Sequence, residues 1–173
     1  MRHFLLMLTA VSLVAGCGGQ RPLPNLANEP AFDAKAAAYI HKQGDATIQG
    51  EAFVLGANGK PVYAAGELVR LVPATAHAQA RFRSLYKGKT YLPAGEIPKV
   101  RPDPEYAKYT RTTVADGRGK FLFDNVAPGK YFVTAQKIIR PPGALFASGG
   151  AMYTQVAITG RERFPVKIVV VGR

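Results

Sequence analysis

The chain has 173 residues, with 23 Lys and Arg against 11 Asp and Glu, for a formal charge of +12. Hydrophobic residues make up 47%, enough to bury a core, so the composition is not that of a disordered chain, and the length suits one domain with a tail. A single Cys excludes an internal disulfide framework and any multi-cysteine zinc or iron–sulfur site.

Arg2 and His3 precede a run without charge from Phe4 to Gly16. A basic start, a short apolar middle and small closing residues are the pattern of a secretory signal. A permanent spanning helix needs about 20 apolar residues, which this run does not reach. Leu13-Val14-Ala15-Gly16-Cys17 resembles the lipobox of bacterial lipoproteins. The resemblance implies that residues 1–16 are a signal peptide cut before Cys17, and that Cys17 and its new amine carry fatty acyl chains such as palmitate. Each buried CH₂ contributes about 0.8 kcal/mol, so two or three chains hold a protein firmly on a membrane. Gly18 and Gly19 follow where that family often has an inner-membrane retention Asp. The implied location is the cell envelope, at the periplasmic side of the outer membrane if the cell is Gram-negative.

Residues 17–30 read as a tether, with Pro22, Pro24 and Pro30 and little apolar content. Residues 31–43 read as a helix rich in Ala, with Gly44 as its stop. Phe32, Ala36, Tyr39 and Ile40 share one face. That face either packs on the domain or lies on the membrane surface.

From residue 45 the period changes to two. Ala46, Ile48, Gly50, Ala52 and Val54 alternate with other residues, as in a half-buried strand. Asn58-Gly59 marks a turn. Further strands are expected at 67–72, 110–114, 120–124, 130–139, 155–159 and 166–170, separated by turns such as Asp116-Gly117-Arg118-Gly119 and Ala127-Pro128-Gly129. Many short strands with regular turns predict an all-β sandwich.

The run Thr112–Tyr131, with Asp116-x-x-Gly119-x-Phe121, Ala127-Pro128-Gly129 and Tyr131, resembles the signature of carboxypeptidase regulatory-like domains. Gly50–Val54, Asn58–Val62 and Val69-Arg70-Leu71 sit where that family has its first two strands. The resemblance implies an Ig-like, transthyretin-like sandwich of about seven strands over 45–173, and an accessory role beside another protein. Glu67 departs from the pattern, either at a rim or before a strand that begins late. The larger departure is an insertion over 74–109, 36 residues where ordinary connections have about 2–6.

The insertion holds the candidate binding residues Arg81, Phe82, Arg83, Tyr86, Lys87 and Lys89, four cations interleaved with two aromatics and no acid. As a strand, these cations line one face; as the end of a helix from about Thr75, they spread around it. Either form attracts anions, and the cations equally suit a solvated loop surface. A second loop, Arg140–Thr154, carries Leu145, Phe146, Met152 and Tyr153, which either form an apolar contact surface or tuck under the sandwich.

His41 and His77 lack metal-ligand spacing, and Ser84 and Ser148 lack a nucleophile-elbow context. No catalytic residue, metal or cofactor is expected. The expected function is non-catalytic binding or scaffolding for another envelope protein, with direct binding of an anionic glycan or lipid as one alternative and an unrecognised enzyme site as another. No nucleic-acid motif is present.

Overall fold

The computed structural model describes residues 29–98 and 104–173. The expected signal peptide, Cys17 and most of the tether lie outside the described residues. Among those described, no helix is long and apolar enough to cross a membrane.

The alternation of period two produces two facing sheets. The first is built around β1 (Gln43–Leu55), which pairs antiparallel with β2 (Pro61–Tyr63) and β6 (Lys120–Val126) and parallel with β9 (Val166–Gly172). The second is antiparallel in the order β4 (Tyr91–Pro93), β8 (Ser148–Ile158), β7 (Gly129–Ile139), β3 (Leu68–Pro73), β5 (Arg111–Val114). Ile48, Val54, Leu71, Phe121, Phe123, Tyr131, Val133, Met152 and Val170 fill the space between them. The protein is thus an all-β sandwich, with β2 and β4 added to the seven expected strands.

The N-terminal helix is shorter than expected. Asp33 caps it by accepting from the N–H groups of Lys35 and Ala36, α1 spans Ala34–Ala37, and a 3-10 turn covers Ala38–His41. Gly44 is not its stop but a strand residue of β1. A Cβ there would stand 2.1 Å from the Val126 carbonyl oxygen, so glycine lets the two strands approach. Most of the expected face packs on the domain, but Ala36 is exposed and Ala37 is buried in its place. Ala37 and Ile40 are buried, and the Tyr39 hydroxyl donates to Lys130 O (2.5 Å) and accepts from the Ala74 N–H (3.0 Å).

Two loop assignments change. β8 begins at Ser148, so the loop after β7 ends near residue 147; Met152 is fully buried, Tyr153 packs with aromatic neighbours, and Leu145 and Phe146 stay exposed. Glu67 lies just before β3, with its carboxylate 3.3 Å from Lys137 Nζ at the rim.

Candidate functional site

The insertion folds as structure, not as a loop. Thr75 caps α2 (Ala76–Tyr86) by accepting from the Ala78 N–H, and Lys87 closes it in the left-handed conformation. β4 then adds an edge strand to the second sheet, and α3 (Pro104–Lys108) follows. Ala, Gln and Arg favour helix, but the deciding interaction is with the outer face of the sheet.

There Phe82 stacks on Phe132, with ring centroids 4.1 Å apart, and meets Tyr153 edge-on at 4.9 Å. Tyr86 packs against Tyr153 at 4.6 Å, and burial raises its pKa far above the ordinary tyrosine value. Phe82 and Tyr86 therefore belong to a second apolar core with Val72, Ala78, Leu92 and Phe132, and they present no stacking surface to a ligand. This corrects their selection as binding residues: their i, i+4 spacing is that of a helix face turned inward.

The cations divide. Arg83, Lys87 and Lys89 are exposed. Arg81 is withdrawn, 3.9 Å from the Glu29 carboxylate and 5.9 Å from the Tyr106 ring centre. Glu29 Oε1 is buried and makes no hydrogen bond among the described residues. Around this pair, Phe32, His77, Tyr106 and Tyr109 form an aromatic cluster, with Phe32 at 5.3–5.8 Å from the other three rings. His77 Nδ1 also lies 2.8 Å from Pro30 O. The insertion thus clamps the end of the tether, Glu29 and Pro30, and Phe32 just after it.

A concave site lies beside the start of α2. It is a cleft of about 380 Å³ lined by Ala74, Gln79, Lys130, Tyr131, Gln155, Val156 and Ala157. Gln79 comes from α2, Lys130 from the start of β7 and Gln155 from β8. Gln79 Nε2 donates to Ala74 O at 2.8 Å. Tyr131 forms part of the wall, and its hydroxyl donates to Ala127 O at 2.7 Å. Two carboxamides and an ammonium over small apolar residues can exchange hydrogen bonds with a polar ligand. None of the six residues selected from sequence lines this cleft. No sequence motif joins Gln79, Lys130 and Gln155, which only the packing of three elements brings together.

Among the described residues, no group of three or more His, Cys, Asp or Glu side chains could hold a metal ion. The His41 ring lies 4.9 Å from the Tyr109 ring, centre to centre.

No protein-family model matches the chain, and no curated protein matches it. Among solved structures it is similar to PA1324 of Pseudomonas aeruginosa, a protein proposed to bind carbohydrate, with 26% identity and a TM-score of 0.67 over 83% of this chain and 99% of that one. It also matches a streptococcal ancillary pilin at 17% identity and a TM-score of 0.33, over 72% of this chain and 31% of that one. The sandwich described above is thus shared across most of its length with PA1324.

Proposed function

We propose that this chain is a non-catalytic binding module, tethered to the cell envelope through acylated Cys17, whose ligand is a glycan held in the cleft of Gln79, Lys130 and Gln155. The cleft itself carries the reading. Sugar hydroxyls both donate and accept hydrogen bonds, as carboxamides do. A few polar groups over an apolar floor are typical of a small-ligand site. Lys130 and the formal charge of +12 favour an acidic sugar. The similarity to PA1324 supports the same ligand class, and the resemblance of Leu13–Cys17 to a lipobox supports the tether.

The test is calorimetric titration of the full chain with neutral and uronate-containing oligosaccharides. Binding should weaken at least about tenfold in Gln79→Ala/Gln155→Ala, as expected for losing a hydrogen bond to a charged or polar partner at each position. In Lys130→Ala, the preference for acidic sugars should disappear. Equal binding by these variants, or none by the parent, would remove the glycan reading. Palmitate labelling of the cells should be lost in Cys17→Ser.

A second reading, docking to another envelope protein, is favoured by the outer face of the first sheet. Leu55, Tyr63, Leu122 and Val169 lie on that face and are 36–51% exposed. A photoreactive residue at Leu122 would give a discrete protein adduct if this face docks, and none if it is only solvated.

A further inference from the structure

The loop between β8 and β9 presents an aromatic side chain where burial would be expected. Phe164 is 82% exposed. Arg161 and Arg163 beside it are exposed as well. The loop is braced from within. The Glu162 carboxylate accepts from the Thr159 N–H (2.7 Å), the Thr159 hydroxyl (2.7 Å) and the Gly160 N–H (2.9 Å). These bonds hold its pKa down at about 2. The single acid of the loop is therefore folded onto the loop's own backbone, while two guanidinium groups and a phenyl ring face outward.

The loop sits at one particular end of the sandwich. Ile158, just before the loop, pairs with Gly129, and a Cβ on Gly160 would stand 2.6 Å from the Pro128 ring. Lys130 O accepts from both the Tyr39 hydroxyl and the Ala74 N–H, and Thr75, the next residue, caps α2. His77, in the first turn of that helix, holds Pro30. The loop thus lies at the end of the sandwich where the chain enters the domain after residues 1–28. Exposed Lys42 and Lys130 sit at the same end, with Asp45 as the opposing charge. The other exposed aromatic tip, Leu145-Phe146, is at the far end of the eleven-residue strand β7, about 35 Å away.

We propose that the loop 159–165 is a contact site for an anionic phospholipid bilayer, with Phe164 entering the boundary between headgroups and acyl chains and Arg161 and Arg163 pairing with lipid phosphates. An aromatic ring is favoured at that boundary, and each cation near an anionic surface strengthens binding about fivefold. The contact would fix how the domain stands on the membrane. The inference rests on the membrane tether of the proposed function but not on its glycan ligand: the loop supplies none of the residues that line the cleft, although Lys130 of the cleft lies at the same end.

The chain has no Trp, so Phe164→Trp places a single tryptophan in the full-length protein, excited selectively at a wavelength that its eight Tyr do not absorb. Phe146→Trp serves as the control at the far end. Both are added to phosphatidylglycerol/phosphatidylethanolamine vesicles with brominated acyl chains. Attachment through the N-terminal region alone immerses neither ring. The expected result is a blue shift and bromine quenching for Phe164→Trp only. The vesicle affinity read from the quenching titration should fall at least about tenfold in an added Arg161→Gln/Arg163→Gln pair, two cations at about fivefold each. Emission from Phe164→Trp that ignores the vesicles would overturn the proposal, as would equal immersion of Phe146→Trp. A response to soluble acidic polysaccharide in place of vesicles would overturn it too. Circular dichroism of each variant shows that the comparison is between folded proteins.

Discussion

The ring of Phe82 lies nearly parallel to that of Phe132, 8° between planes and 4.1 Å between centroids. Phe132 points away from the main core, on the face of β7 opposite to Tyr131 and Val133. The pair therefore joins an inserted helix to the outer surface of a sandwich. Replacing Phe82 by Ala should destabilise the protein by about 3–5 kcal/mol, the usual cost of truncating a buried Phe. Arg83→Ala, one residue on but exposed, should change stability by no more than about 0.5 kcal/mol. Urea denaturation of both variants checks this. A mild Phe82 effect would mean the helix is not seated on the sheet.

Gly44 provides a second check on the N-terminal segment. An Ala at this position would press its Cβ into the backbone of Val126 and Ala127, at 2.1–2.5 Å. Backbone atoms cannot step aside as a side-chain end can, so Gly44→Ala should cost at least about 1–3 kcal/mol. Gly117→Ala meets nothing within 4 Å and should be near neutral. Comparable midpoints for the two variants would place Gly44 outside β1.

The clamp on the end of the tether makes Arg81 a structural residue. Its side chain is 15% exposed and that of Glu29 is 9% exposed. Arg81→Ala leaves a buried carboxylate without its cation and should cost roughly 1–3 kcal/mol. Adding Glu29→Gln should recover part of that loss, since the orphaned charge is gone. A double-mutant cycle reads the coupling. Additive effects would show that the pair does not act together.

Alkaline stability should depend on the buried Tyr86 and Tyr131 and the half-buried Tyr106. Burial pushes Tyr106 up to about 12 from the ordinary 10.0; the neighbouring Arg81 guanidinium opposes the shift and the Glu29 carboxylate adds to it. The folded state therefore favours the neutral phenol. Its contribution to stability is complete below pH 10 and is lost between pH 10 and 12, as the unfolded chain ionises first. Tyr86 and Tyr131 shift in the same direction. Stability should be flat to about pH 9.5 and fall above it, with a shallower fall in Tyr106→Phe. Urea midpoints between pH 9 and 11.5 would test this, and an unchanged slope in the variant would show Tyr106 to be solvated.

Much of the candidate surface could not be read along the chain. Arg81, Phe82, Arg83 and Tyr86 fall within six residues, yet two are buried rings, one is a paired cation and one is solvated. Their separation follows from the 100° step of a helix, and helix or strand was left open by the sequence because both forms accommodate alternating charge and aromatic residues. The cleft residues Gln79, Lys130 and Gln155 carry no local signal at all. They meet because α2 starts where β3 ends, directly above the beginning of β7.

The sandwich itself was legible from the sequence because its determinants are local. Alternation of period two along β1 and β6 sets which side chains face inward, and turn residues such as Asn58-Gly59 and Asp116–Gly119 set where the chain reverses. Those terms act over two to four residues and do not depend on what lies across the molecule. What only the tertiary structure decided rests on contacts between segments far apart in the chain. Residues 81–86 became helix because Phe132 and Tyr153 offered a surface for Phe82 and Tyr86. β8 started at Ser148 because Met152 had a place in the core. Phe164 remained outside because Glu162 tied the loop to its own backbone. In each case the free energy comes from burying or satisfying a group against a distant partner, and pattern along the chain carries no record of that partner.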